Sequence, residues 1–148
     1  MSESQVRVTL RQQQDYRFEI DFGAGVPALL GDEKAPLGGG TGPTPVQLLA
    51  AAVGNCLSDS LLFALRKFKQ APEPISTAVT ADIGRNADGR LRVQGMAVRL
   101  QLGVPAETLQ HLDRVLEQFE NFCTVASSVS QGIPMQVAVF DASGRQLK

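Results

Sequence analysis

Apolar and polar residues alternate from the start of the chain. Val6, Val8 and Leu10 face one way and Arg7, Thr9 and Arg11 the other, which predicts a half-buried strand over residues 5–11. Gln12-Gln13-Gln14-Asp15 predicts a polar turn. Tyr16, Phe18, Ile20 and Phe22 then share a second face, so residues 16–22 are the other arm of a hairpin, with Glu19 and Asp21 towards solvent. Residues 28–30 suggest a short extended piece. The glycine-rich stretch 38–42 reads as a flexible connector. Thr44 and Pro45 make a helix start, N-cap followed by proline at the first helical position. The helix runs to about Gln70, where Pro72 and Pro74 stop it; its length is roughly 40 Å. Residues 75–85 and 90–102 form a strand pair around the turn Asn86-Ala87-Asp88-Gly89. Pro105 opens a second helix to about Phe122, with Leu109, Leu112, Val115, Leu116 and Phe119 at helical spacing. Residues 123–131 predict a short helix and 133–140 a last strand. No repeat or linker interrupts this order, so residues 1–148 are expected to form one α+β domain.

Composition narrows the function. The apolar content of 43% supports a real core, and the net charge of −1 offers no basic surface for nucleic acid or an anionic membrane. The apolar region of the long helix is broken by Asn55, Ser58, Asp59 and Ser60, which points to a buried helix rather than a membrane span. The first residues have neither a basic start nor an apolar stretch, so a cytoplasmic location is expected, with reduced thiols.

The candidate chemistry is that of two thiols, Cys56 and Cys123. A histidine-based triad has nothing to build on, because His111 is the one histidine, and it reads as solvated beside Asp113 and Arg114. Cys56, Cys123 and His111 are too few, and wrongly spaced, for a closed zinc site, so no metal is expected. The glycine stretch lacks the ending of a phosphate loop. On a helical wheel Cys56 lies about 180° from Gln47, among Leu49, Ala52, Val53, Phe63 and Ser60, hence on an apolar side. There it either fills space or, with a cation nearby, reacts. Cys123 falls at the start of a helix, where the dipole and free N–H groups favour a thiolate; a packing role suits the same position. Asp59, three residues after Cys56, is close enough on the helix to accept a hydrogen bond at the site.

Two stretches resemble a known family. One runs from Gly42-Pro43-Thr44-Pro45 through the small-residue helix to Gly54-Asn55-Cys56-Leu57; the other is Phe122-Cys123-Thr124-Val125-Ala126-Ser127-Ser128-Val129, with Gly132-Ile133-Pro134 after it. The pair resembles the two cysteine motifs of the OsmC/Ohr family, the osmotically induced and organic hydroperoxide resistance proteins. The resemblance implies an OsmC-like fold, a long central helix packed on a curved antiparallel sheet, in an intertwined homodimer with its sites at the subunit interface. It also implies a thiol-dependent peroxidase. Cys56 attacks an organic hydroperoxide, Cys123 resolves the sulfenic acid to a disulfide, and an external dithiol such as a dihydrolipoyl group restores both thiols, with no bound cofactor. The apolar wall of Leu49, Val53 and Phe63 would suit a greasy hydroperoxide. The family's catalytic branches carry a glutamate ten residues before the first cysteine, or next door; this chain has Val46 and Gln47. Where the family places an activating arginine, Gln13 or Gln14 falls, flanked by Arg11 and Arg17. The same residues also fit a non-catalytic dimer that binds an apolar small molecule at the subunit interface.

Overall fold

The N-terminal alternation forms a hairpin, β1 (Thr9–Gln14) against β2 (Arg17–Asp21), with β3 (Leu29–Gly31) antiparallel to β2. The computed structural model describes residues 3–148. It consists of two compact units, one up to Leu48 and one from Leu49 onward.

In the first unit the hairpin is shifted from its expected place. The glutamines belong to β1, and the turn falls at Asp15 and Tyr16, with Asp15 in the left-handed region at φ 51°. Aspartate tolerates that conformation better than most residues. Pairing ends at Thr9 opposite Asp21, because Gly23 turns the partner strand away at φ 109°. Residues 5–8 therefore have no strand opposite them, and Val6, Val8 and Leu10 are exposed rather than half-buried. The glycine stretch is also not a loose connector. Buried Asp32 accepts hydrogen bonds from the Thr41 hydroxyl (2.7 Å), the Thr41 N–H (3.1 Å) and the Glu33 N–H (2.8 Å). A Cβ at Gly42 would lie 1.9 Å from the Leu30 carbonyl oxygen, so only glycine fits.

The helix α1 (Pro45–Lys67) starts as its sequence dictates. Thr44 Oγ1 accepts from the Gln47 N–H at 3.2 Å, and Gln47 Oε1 accepts from the Thr44 N–H at 2.9 Å, a capping box. The helix ends three residues before Gln70. Lys69 enters the left-handed region at φ 58°, and the Gln70 and Lys69 N–H groups reach back to the Leu65 and Arg66 carbonyls, a Schellman closure. α1 is long and apolar enough to cross a membrane. In the second unit its residues Val53, Leu57, Leu61 and Leu65 instead join one buried core with Met96, Val98, Leu100, Val115, Phe119 and Val139.

The second unit's sheet has the order β4 (Ser76–Arg85), β5 (Leu91–Gln101), β6 (Met135–Phe140). β4 and β5 close around the expected turn, where Asn86 Oδ1 accepts from the Asp88 and Arg90 N–H groups and Gly89 takes φ 74°. β6 runs parallel to β5, so the expected antiparallel sheet is mixed. A parallel return needs a long crossover, and residues 102–134 supply it. That crossover contains three short helical elements where one helix was expected: a 3₁₀ turn at Ala106–Thr108, α2 (Leu112–Gln118) and a second 3₁₀ turn at Phe119–Phe122. The break before α2 is forced by His111 at φ 60° and by the Gln70 side chain, which accepts the Gln110 N–H. The third helix, α3, spans Thr124–Val129.

Candidate thiol site

Both cysteines lie in the second unit and carry free thiols. Cys56 sits midway along α1 and is half-buried. Cys123 is the N-cap of α3 and is fully buried; its Sγ accepts from the Ala126 N–H at 3.3 Å. The segment before it is held from below. The Lys148 ammonium donates to the Leu116 carbonyl at 2.8 Å, pairs with Glu120 and lies 5.3 Å from the Phe119 ring centroid. The Cys123 N–H in turn donates to the Glu120 carbonyl at 3.1 Å.

The two thiols are neighbours. Burial raises the Cys123 pKa to about 11, reinforced by its hydrogen bond to Cys56 and the charge of a Cys56 thiolate. Hydrogen bonds from the Ala126 N–H and the Ser60 hydroxyl pull the other way and do not win. Of the two roles open to Cys123 at the helix start, thiolate or packing, the surroundings favour packing. A short helix supplies one N–H, and desolvation outweighs it. At neutral pH Cys123 is a protonated thiol beside Cys56.

Cys56 opens onto a shallow depression of about 420 Å³, lined by Cys56, Asp59, Ser60, Phe63 and Phe122. Phe63 lines it as the sequence suggested, but Leu49 and Val53 do not. Val53 is fully buried and Leu49 packs against the core. Phe122 takes their place. Asp59 accepts from the Asn55 amide at 2.9 Å, and neither side chain contributes a positive charge. Among the described residues lining the depression there is no lysine or arginine. His111 lies elsewhere, exposed and stacked on Phe68 with centroids 4.7 Å apart. Gln47 serves the capping box, and of the hairpin arginines Arg17 donates to Gln14 at 3.3 Å while its Nε is buried without a partner.

Ser60 and Phe122 are the site residues whose roles the sequence did not reveal. Their positions carried a signal: Ser60 is one helical turn after Cys56, and Phe122 immediately precedes Cys123. Phe122 ends the second 3₁₀ turn and is about half exposed.

A half-buried thiol beside a buried, protonated one, both set on an α+β scaffold, defines a two-thiol protein. The OsmC-like protein family model matches residues 38–138, and the chain belongs to that family. Among curated proteins no match is found. Solved structures share the fold at low identity. An OsmC-like protein of unknown function from Vibrio cholerae has 18% identity and a TM-score of 0.77, covering 93% of this chain and 99% of its own. An organic hydroperoxide resistance protein OsmC from Legionella pneumophila has 14% identity and a TM-score of 0.72, with 94% and 98% covered. The organic hydroperoxide resistance protein OhrB of Bacillus subtilis has 15% identity and a TM-score of 0.69, with 93% and 99% covered.

Proposed function

We propose that the protein is a thiol-dependent peroxidase that reduces organic hydroperoxides in oxidative stress defence. The observation that carries this reading is the adjacency of a solvent-reachable thiol, Cys56, and a buried thiol that keeps its proton, Cys123. The Cys56 thiolate attacks the outer peroxide oxygen, the O–O bond breaks, and the alkoxide leaves as alcohol after taking a proton. Cys56 is then a sulfenic acid. The Cys123 sulfur attacks it, water leaves with the Cys123 proton, and a disulfide joins the two. An external dithiol, such as a dihydrolipoyl group, exchanges with that disulfide, restores both thiols and ends as a cyclic disulfide. No bound cofactor enters the cycle, and a reducing cytoplasm suits it.

The reading requires a cation to favour the Cys56 thiolate. Arg11 and Arg17 are the hairpin candidates, and turnover after replacing each by alanine assigns the role. It also includes a homodimer. Val6, Leu10, Tyr16, Val26 and Leu37 are about half exposed or more, an apolar display suited to a second copy. Purified protein should consume cumene hydroperoxide when supplied with dihydrolipoamide, and Cys56→Ser should abolish turnover; undiminished turnover in that variant would remove Cys56 from the mechanism.

One observation favours a second reading, a dimer that binds an apolar small molecule. The first unit holds a depression of about 300 Å³ lined by Leu10, Tyr16, Phe18, Ile20 and Leu48. Native mass spectrometry of the purified protein would show a retained ligand under that reading and a bare dimer under the first.

A further inference from the structure

The lining of the Cys56 depression is electrically lopsided. Near Cys56 its one charge is the Asp59 carboxylate. Farther along, two exposed rings, Phe63 and Phe122, meet edge to face with centroids 6.0 Å apart. The Lys67 ammonium lies 5.8 Å from the Phe63 centroid and 5.4 Å from that of Phe122. Among the described residues no carboxylate pairs with Lys67, whereas its neighbour Arg66 is taken by Glu73 at 2.8 Å. The helix lines these groups up. Cys56, Ser60, Phe63 and Lys67 fall within about 60° of one another around α1, and Lys67 is about 16 Å beyond Cys56 along the axis.

We propose that Lys67 determines specificity, selecting hydroperoxides that carry a carboxylate at the end remote from the O–O bond. The proposal rests on the peroxidase reading and names its substrate class. The two rings attract the exposed ammonium and hold it beside the depression, where an arriving anion meets it. The same rings receive the apolar stem of the substrate. Asp59 repels an anion at the Cys56 end, so the molecule enters one way round, with its neutral hydroperoxide at the sulfur. Lys67 also stands in the last turn of α1, where a cation complements the helix dipole. That role alone would affect stability and would not distinguish an acid from its ester.

The test compares a long-chain hydroperoxy fatty acid with its methyl ester, chain and peroxide position being the same. Wild type, Lys67→Gln and Lys67→Glu are assayed at low salt and at high salt. The wild type should prefer the acid by about twofold to fivefold in kcat/KM, mostly through KM, as an exposed ion pair allows. The preference should vanish in Lys67→Gln, invert in Lys67→Glu and shrink with added salt. Equal use of acid and ester by the wild type, or a preference unchanged by both substitutions, overturns the inference and leaves the peroxidase reading standing. Failure of the wild type to turn over either substrate overturns the peroxidase reading, and this inference with it.

Discussion

Cys123 is a cysteine whose surroundings hold its proton in place. Burial is the main cause, and the neighbouring Cys56 adds to it. With a pKa of about 11, roughly one Cys123 in a thousand is ionised at pH 8. Iodoacetamide at that pH should therefore alkylate Cys56 in the native protein while Cys123 reacts at least about a hundredfold more slowly, because Cys123 is also closed to the reagent. Peptide mapping after brief labelling checks this, and equal labelling of the two would contradict the geometry. Cys123 should still label slowly in Cys56→Ser, since burial, the largest cause, remains. At this scale the sequence was a partial guide. The helical wheel placed Cys56, Ser60 and Phe63 on one side, and they do share it. The state of Cys123 was not legible, because a residue at a helix start can be wet or dry. Only the packing of Phe119 and Ala126 around it decides which.

At the scale of elements, α1 meets β4 more closely than a side chain at position 54 would allow. A Cβ on Gly54 would lie 2.7 Å from Val79 Cγ2. Alongside, the Ser58 hydroxyl lies 2.6 Å from both the Gly54 carbonyl and the Thr77 hydroxyl. Gly54→Ala thus sets two effects against each other. Helix propensity would gain about 1 kcal/mol, and overpacking against a branched side chain costs about 1–3 kcal/mol. A net loss of about 1 kcal/mol is expected, read as a lower denaturation midpoint in urea; a more stable variant would show that the helix is free to shift off the strand. Elements with local signals were read well: the Thr44 start of α1, the Asn86–Gly89 turn and the short β3. Elements set by distant groups were not. The second helix failed at His111 because the Gln70 side chain, forty residues away in sequence, takes the Gln110 N–H. Likewise nothing in residues 133–140 says which strand they will join, or in which direction.

For the molecule as a whole, each unit contains one buried carboxylate knot. Asp32 in the first unit is held at a pKa of about 2, chiefly by the Thr41 hydroxyl. Asp141 in the second is held at about 2, chiefly by the Ser143 hydroxyl and then by the Ala106 N–H. Both values lie below that of an unfolded aspartate. Their stabilising contribution is therefore complete above about pH 4 and is lost as pH falls towards 2. Thermal midpoints measured from pH 5 to pH 2 should drop across that window, and the drop should be smaller in Asp141→Asn, which has no carboxylate there to protonate. Parallel curves for wild type and variant would contradict the assignment. The residue pattern gave the long helix, the two cysteine motifs gave the family, and the match over residues 38–138 bears the family out. The family resemblance did not give the mixed sheet of the second unit or the bonded glycine loop of the first.

The proposed peroxidase cycle depends on Cys56 and Cys123 acting as one redox pair, and intact mass spectrometry reads that most directly. Reduced protein treated with one equivalent of cumene hydroperoxide, without reductant, should lose the mass of two hydrogens, and digestion should yield a peptide joining Cys56 to Cys123. A protein that keeps its mass, or that gains oxygen on Cys56 while Cys123 stays a free thiol, would contradict it.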